Sequence, residues 1–129
     1  MKHIAPLILA ACVMALVAYF DLPKAFGAHP WWSVKTVLIG TPIGLILALV
    51  ASFTPVPPLG RLLTFTALLA LAYGLAFYGK TQFAASYAED ALAGKLWYFG
   101  WLGVSSALAA IVTTLFQGIA TSLTRKGNP

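Results

Sequence analysis

Long stretches without charge alternate with short polar segments along the chain, and this pattern predicts its main elements. Four stretches lack Asp, Glu, Lys and Arg, and they cover most of the 129 residues: 3–20, 36–60, 62–79 and 96–124. A helix needs about 20 mostly apolar residues to cross the roughly 30 Å hydrocarbon core of a bilayer. The pattern predicts an all-α integral membrane protein, a four-transmembrane-helix bundle with spans over residues 4–20, 36–54, 62–79 and 96–123.

The polar segments between these spans predict the connections. A loop is expected over residues 21–35, and the prolines and glycine within residues 55–60 predict a tight corner. Residues 80–95 are polar enough to leave the membrane, and Phe83, Tyr87 and Leu92 recur at helical spacing. We therefore expect a short interfacial helix before the last span. Residues 1–129 then form a single domain, because the loops are too short to hold another one.

The N-terminal segment has two interpretations. Its basic start and apolar run are also typical of a signal peptide. We expect it to be retained as a first span, because the apolar run before Cys12 is short and the apolar character continues to Phe20. Cys12 is the single cysteine, which excludes an internal disulfide, and it is expected to pack as a small apolar residue.

The net charge of +5 adds little to the prediction of a membrane protein. The basic residues are scattered, so they favour contact with lipid headgroups over nucleic acid. Counted by the positive-inside rule, the two sides of the bundle tie at four Lys or Arg each. The basic C-terminal tail and the short corner at Arg61 suit the cytoplasm, so we expect N-in and C-in orientation, in a bacterial inner membrane.

Small residues mark two spans as packing surfaces. Gly40 and Gly44 are four residues apart and flank Pro42, and Gly103 and Ala107 repeat the spacing in the last span. Such pairs let two helix backbones approach closely. The alternative for Pro42 is a hinge beside a substrate path, since proline frees a backbone carbonyl and permits a bend.

The last span also carries a polar strip, formed by Ser106, Thr113 and Gln117. The hydroxyl groups can bond to their own helix at little cost, but the Gln117 amide needs a partner. Hydrogen bonding between helices is one interpretation, with Thr64, Thr66 and Tyr73 as candidate partners. A polar lining that contacts a solute is the other.

Aromatic residues gather on one predicted side of the membrane. Most of the tyrosines lie on this side, and the adjacent basic pair at the C-terminus lies on the other. All four tryptophans are also on this side: Trp31, Trp32, Trp97 and Trp101. An interfacial aromatic belt explains this, although such belts normally occur on both sides. The other interpretation is a contact surface for a partner or ligand.

No span contains Asp, Glu, Lys, Arg or His, and the predicted topology places His3 and His29 on opposite sides. Proton-coupled transport and intramembrane hydrolysis require such groups, so the pattern predicts no enzyme, metal site or cofactor. We expect a non-catalytic small subunit of a respiratory, photosynthetic or transport complex, whose partners are lipids and other membrane subunits or a second copy. The alternatives are a homo-oligomeric pore or transporter for a neutral solute, and a binder of lipid, quinone or pigment at the outer rim.

Overall fold

A computed structural model of the chain describes residues 3–126, with side chains as far as Thr124. Its regular secondary structure is helical throughout this described part, which confirms the all-α prediction. The helices are α1 (Ile4–Tyr19), α2 (Leu22–Ala25), α3 (Ser33–Ser52), α4 (Pro58–Ala85) and α5 (Ala91–Lys126).

Three of these helices, α3, α4 and α5, are long and apolar enough to cross a membrane. Together they suggest a membrane-embedded protein. Helix α1 is equally apolar but has 16 residues, about 24 Å at ~1.5 Å per residue. Its length alone therefore does not establish the predicted fourth span.

The predicted interfacial helix is not confirmed as a separate element. Residues 80–85 continue α4, and residues 91–95 already belong to α5. Polar side chains do not end a helix by themselves; the Thr81 hydroxyl even donates to the Phe77 carbonyl, at 2.9 Å. The chain breaks where Tyr87 and Ala88 adopt positive φ angles of 56° and 67°.

The next helix begins with a capping contact. The Asp90 carboxylate accepts a hydrogen bond of 3.1 Å from the Ala93 amide. Free amides at a helix start need such acceptors, which explains why α5 begins here rather than at the predicted residue 96. Helix α2 was not predicted either, because it lies within the segment expected to be a loop.

Helix α5 lies at the centre of the bundle. Of its most apolar stretch 56% is buried within the chain, compared with 28% for α3 and 17% for α4. Gly79 of α4 lies against Ala93–Trp97 and Gly100 against Ala76, so α4 and α5 are antiparallel. Gly40 lies near Leu102–Ser106 and Gly44 near Ser106–Ala110, so α3 and α5 are parallel.

Helix α1 runs antiparallel to α3. Near its start the rings of His3 and Phe53 are 5.2 Å apart, and near its end Val17 shares a buried cluster with Val37. The loop between α2 and α3 therefore lies at the same end of the bundle as the turn between α4 and α5. His3 and the corner before α4 lie at the opposite end.

Candidate functional site

The loop between α2 and α3 is fastened to the bundle by two aromatic side chains. The Tyr73 hydroxyl donates a hydrogen bond to the Phe26 carbonyl oxygen, at 3.2 Å. The Trp97 indole nitrogen donates to the neighbouring carbonyl of Gly27, at 3.0 Å. Gly27 has a φ angle of +112°, a backbone conformation that residues other than glycine rarely adopt. These bonds hold the loop against α4 and α5.

Trp97 is also the centre of an aromatic cluster. Its ring centroid lies 5.2 Å from Trp32 and 5.4 Å from His29, both at steep angles. His29 stacks on Trp32, and Phe83 approaches Trp97 from α4. Edge-to-face and offset contacts of this kind stabilise aromatic groups beyond simple burial.

The four tryptophans have different environments. Trp31 is 91% exposed, whereas Trp101 is 4% exposed and contacts the Tyr73 ring edge-on. Trp32 and Trp97 are partly buried and contact each other across the loop. This close contact joins a loop residue to a helix residue.

A cleft of about 70 Å³ lies beside this cluster. The described residues that line it include five aromatic side chains, and Lys80 is the charged one among them. The loop supplies Phe26 and Gly27, α4 supplies Tyr73 and Phe77, and α5 supplies Trp97 and Trp101. The tryptophans stand out in the sequence, whereas Lys80 is one of several scattered lysines.

The small residues of α3 lie directly against α5. A Cβ atom on Gly40 would come within 2.7 Å of the Ser105 Cβ, and one on Gly44 would overlap the Ser106 carbonyl oxygen. Gly103 faces the Ala72 methyl group, and Ala107 is buried.

Two further close approaches were missed from the sequence. A Cβ on Gly79 would lie 2.5 Å from the Trp97 amide nitrogen, and one on Gly100 would lie 2.6 Å from the Ala76 nitrogen. Gly100 precedes Gly103 by three residues, so the small-residue face of α5 could have been extended by one turn.

The polar strip of α5 is buried, and its hydroxyl groups bond to their own helix. Ser106 donates to the Leu102 carbonyl at 2.8 Å, and Thr113 donates to the Ala109 carbonyl at 2.7 Å. Gln117 is 7% exposed, and neither atom of its amide has a hydrogen-bond partner among the described residues.

The partners expected for Gln117 are engaged elsewhere or point outward. Thr64 donates to Gly60 on its own helix, and Tyr73 bonds to the loop at the far end of the bundle. Thr66 is exposed. The expected hydrogen bond between helices is therefore absent from the described part of the chain.

The histidines lie at opposite ends of the bundle, beside Phe53 and Trp97 respectively. Within residues 3–126, no group of three or more His, Cys, Asp or Glu side chains is arranged to hold a metal ion. Comparisons of the chain with family models, with curated proteins and with solved structures find no match. Proposals about function therefore depend on the geometry of the bundle and its rim.

Proposed function

We propose that the chain is a non-catalytic small integral-membrane subunit of a larger complex in a bacterial inner membrane. In this proposal the bundle crosses the bilayer four times, with both termini in the cytoplasm. The small-residue faces hold the bundle together, and the surface left free contacts neighbouring subunits.

The observation that carries the proposal is the free surface of α4. Only 17% of its most apolar stretch is buried within the chain, because one side of the helix packs on α5. Large apolar side chains recur at helical spacing on another side, and they are all exposed: Leu59, Leu63, Leu71, Leu75 and Tyr78. Apolar surface of this kind in a bilayer is covered by lipid or by another transmembrane helix.

The direction and packing of α1 support the fourth crossing. It runs beside α3 for its whole length, from the contact of His3 with Phe53 to the cluster of Val17 with Val37. A bilayer thins locally around a short apolar helix at modest cost, so 16 residues are compatible with a crossing.

The alternative of a neutral-solute pore between copies has less support. Its proposed lining, Ser106 and Thr113, is buried inside the single chain and bonded to the α5 backbone. A strip in this position does not face the surface that a second copy would contact. The alternative of a ligand at the outer rim is favoured by the cleft beside Trp97, and its ligand is considered below.

The experiment is purification of a tagged chain from its native membrane in a mild detergent, followed by mass spectrometry of the intact complex. We expect other membrane subunits to accompany the wild type. The substitutions Leu71→Trp and Leu75→Trp should release them by adding bulk to the free face of α4. The matched control Leu38→Trp changes an exposed position on α3 and should retain them. A wild-type chain that purifies without other proteins would contradict the proposal.

A further inference from the structure

The cleft beside Trp97 combines an apolar wall with one positive charge. Phe77 and Trp101 are among its lining residues, and so is Lys80, one helical turn beyond Ala76. The Lys80 ammonium folds back towards the loop: its Nζ atom lies 3.3 Å from the point where a Cβ atom on Gly27 would be. The absence of a side chain at Gly27 leaves the space in which this charge lies.

Two of the side-chain donors that line the cleft are already engaged. Tyr73 and Trp97 donate to the Phe26 and Gly27 carbonyl oxygens, so they hold the loop and do not reach for a ligand. The Lys80 ammonium is the one charged group among the described lining residues, so it decides which sign of ligand charge the cleft attracts. A lysine in this position attracts an anion and repels a cation such as choline, although aromatic walls alone would suit a quaternary ammonium.

The size of the cleft and its expected depth in the bilayer limit which ligands it can bind. A buried cavity that holds a benzene ring has a volume of about 150 Å³, so a cleft of about 70 Å³ does not enclose a quinone or pigment ring. A small anionic group beside Lys80 matches the charge of the lining better. The surrounding tryptophans and tyrosine are the residues that prefer headgroup depth in a bilayer. Exposed Phe77 continues the apolar surface from the cleft along α4 towards the hydrocarbon.

We propose that this cleft binds the anionic headgroup of a membrane phospholipid, with the phosphate at Lys80 and an acyl chain along the Phe77 side of α4. The proposal deepens the outer-rim alternative given above and does not depend on the subunit proposal. It assigns to Lys80 a role that distinguishes it from the other lysines at this end of the bundle. Lys95 provides the comparison, because it is exposed in the first turns of α5 but does not line the cleft.

The test is a competition between lipids. The wild type, Lys80→Gln and Lys95→Gln are each placed in nanodiscs of equal parts phosphatidylglycerol and phosphatidylcholine, at about 0.15 M salt. The lipids that remain on the released protein are then counted by mass spectrometry. A basic side chain near an anionic surface contributes about 1 kcal/mol, which corresponds to about a fivefold preference.

We expect the wild type to retain phosphatidylglycerol in preference to phosphatidylcholine. Lys80→Gln should reduce this preference about fivefold, and Lys95→Gln should reduce it less than twofold. Equal losses of this preference in the two variants would show that lysines attract anionic lipid anywhere on the surface, which would contradict the proposed site. No preference in the wild type would also overturn it. Displacement of the lipid by millimolar inorganic phosphate would assign the site to free phosphate instead. Loss of partner proteins does not enter this measurement, so the subunit proposal can fail separately.

Discussion

The indole nitrogen of Trp97 on α5 donates a hydrogen bond of 3.0 Å to the carbonyl oxygen of Gly27, 70 residues earlier in the chain. This bond joins the central helix to the loop before α3, and the same tryptophan packs against Trp32, the last residue of that loop. These aromatic side chains therefore form part of the connection that holds the loop in place.

Replacement of Trp97 by phenylalanine should loosen this loop, because it removes the donor and keeps an aromatic ring. We expect the free energy of unfolding to fall by about 1 kcal/mol, the usual net contribution of one hydrogen bond. Amide hydrogen exchange at residues 26–28 should accelerate by about fivefold. Trp31→Phe is the control, since Trp31 is exposed. Equal exchange in both variants would mean that the bond does not restrain the loop.

Alanine should have opposite effects at two glycines, one inside the contact between α3 and α5 and one on α4 outside it. Gly44→Ala should lower the free energy of unfolding by about 1–3 kcal/mol, because the added methyl group would overlap the Ser106 carbonyl oxygen and lie 2.6 Å from the Ala109 Cβ. Gly74→Ala meets nothing within 4 Å, so its better helix propensity should raise stability by up to about 1 kcal/mol. Thermal and denaturant unfolding in one detergent would measure both. A stabilising Gly44→Ala would contradict the close contact.

Gln117 is expected to tolerate an apolar replacement. Its amide is buried without a partner among the described residues, so Gln117→Leu removes a desolvation cost and keeps a similar volume. We expect the free energy of unfolding to stay equal or to rise by about 1 kcal/mol. Thr113→Val is the comparison, because its hydroxyl already bonds to Ala109. A loss of more than about 1 kcal/mol in Gln117→Leu would indicate that the amide binds something in the membrane.

Much of the helical framework could be predicted because it depends on local composition. Charge-free stretches locate the apolar helices, and the spacing of Gly40 and Gly44 places small residues on one face, which the structure orients towards α5. The end of α4 could not be placed in this way. Helix termination there depends on positive φ at Tyr87 and Ala88, and neither residue type favours that conformation.

The candidate site was predictable only in part, because its contacts join distant segments. Composition indicated that Trp32 and Trp97 share a membrane side, but their contact depends on how the loop folds over α4 and α5. Nothing in the local sequence distinguishes Lys80 from Lys95. Their different positions relative to the cleft follow from the antiparallel register of α4 and α5 and from the fold of the loop at Gly27.

The tryptophans of the rim should separate into core and surface groups. Trp101→Ala should lower the free energy of unfolding by about 3–5 kcal/mol, since a large buried side chain is removed. Trp31→Ala should change it by less than about 0.5 kcal/mol, because that ring is exposed. Unfolding followed by circular dichroism would measure both. Similar values for the two variants would contradict the different environments described for these rings.

Thiol labelling tests whether the bundle crosses the membrane four times, with the end that carries the four tryptophans on one side. Single cysteines replace His3, Trp31, Leu59 and Tyr87 in a Cys12→Ala chain, and intact cells are treated with a membrane-impermeant maleimide. His3, Trp31 and Tyr87 lie outside the helices, and Leu59 lies in the first turn of α4. Trp31, Leu59 and Tyr87 are exposed.

We predict that residues 31 and 87 react from outside, and that residues 3 and 59 react only after the membrane is opened. The reverse pattern would keep the four crossings and overturn the proposed orientation. Labelling of residue 3 together with residue 31 would show that α1 does not cross the bilayer. Labelling of residue 59 together with residues 31 and 87 from outside would contradict the membrane bundle itself.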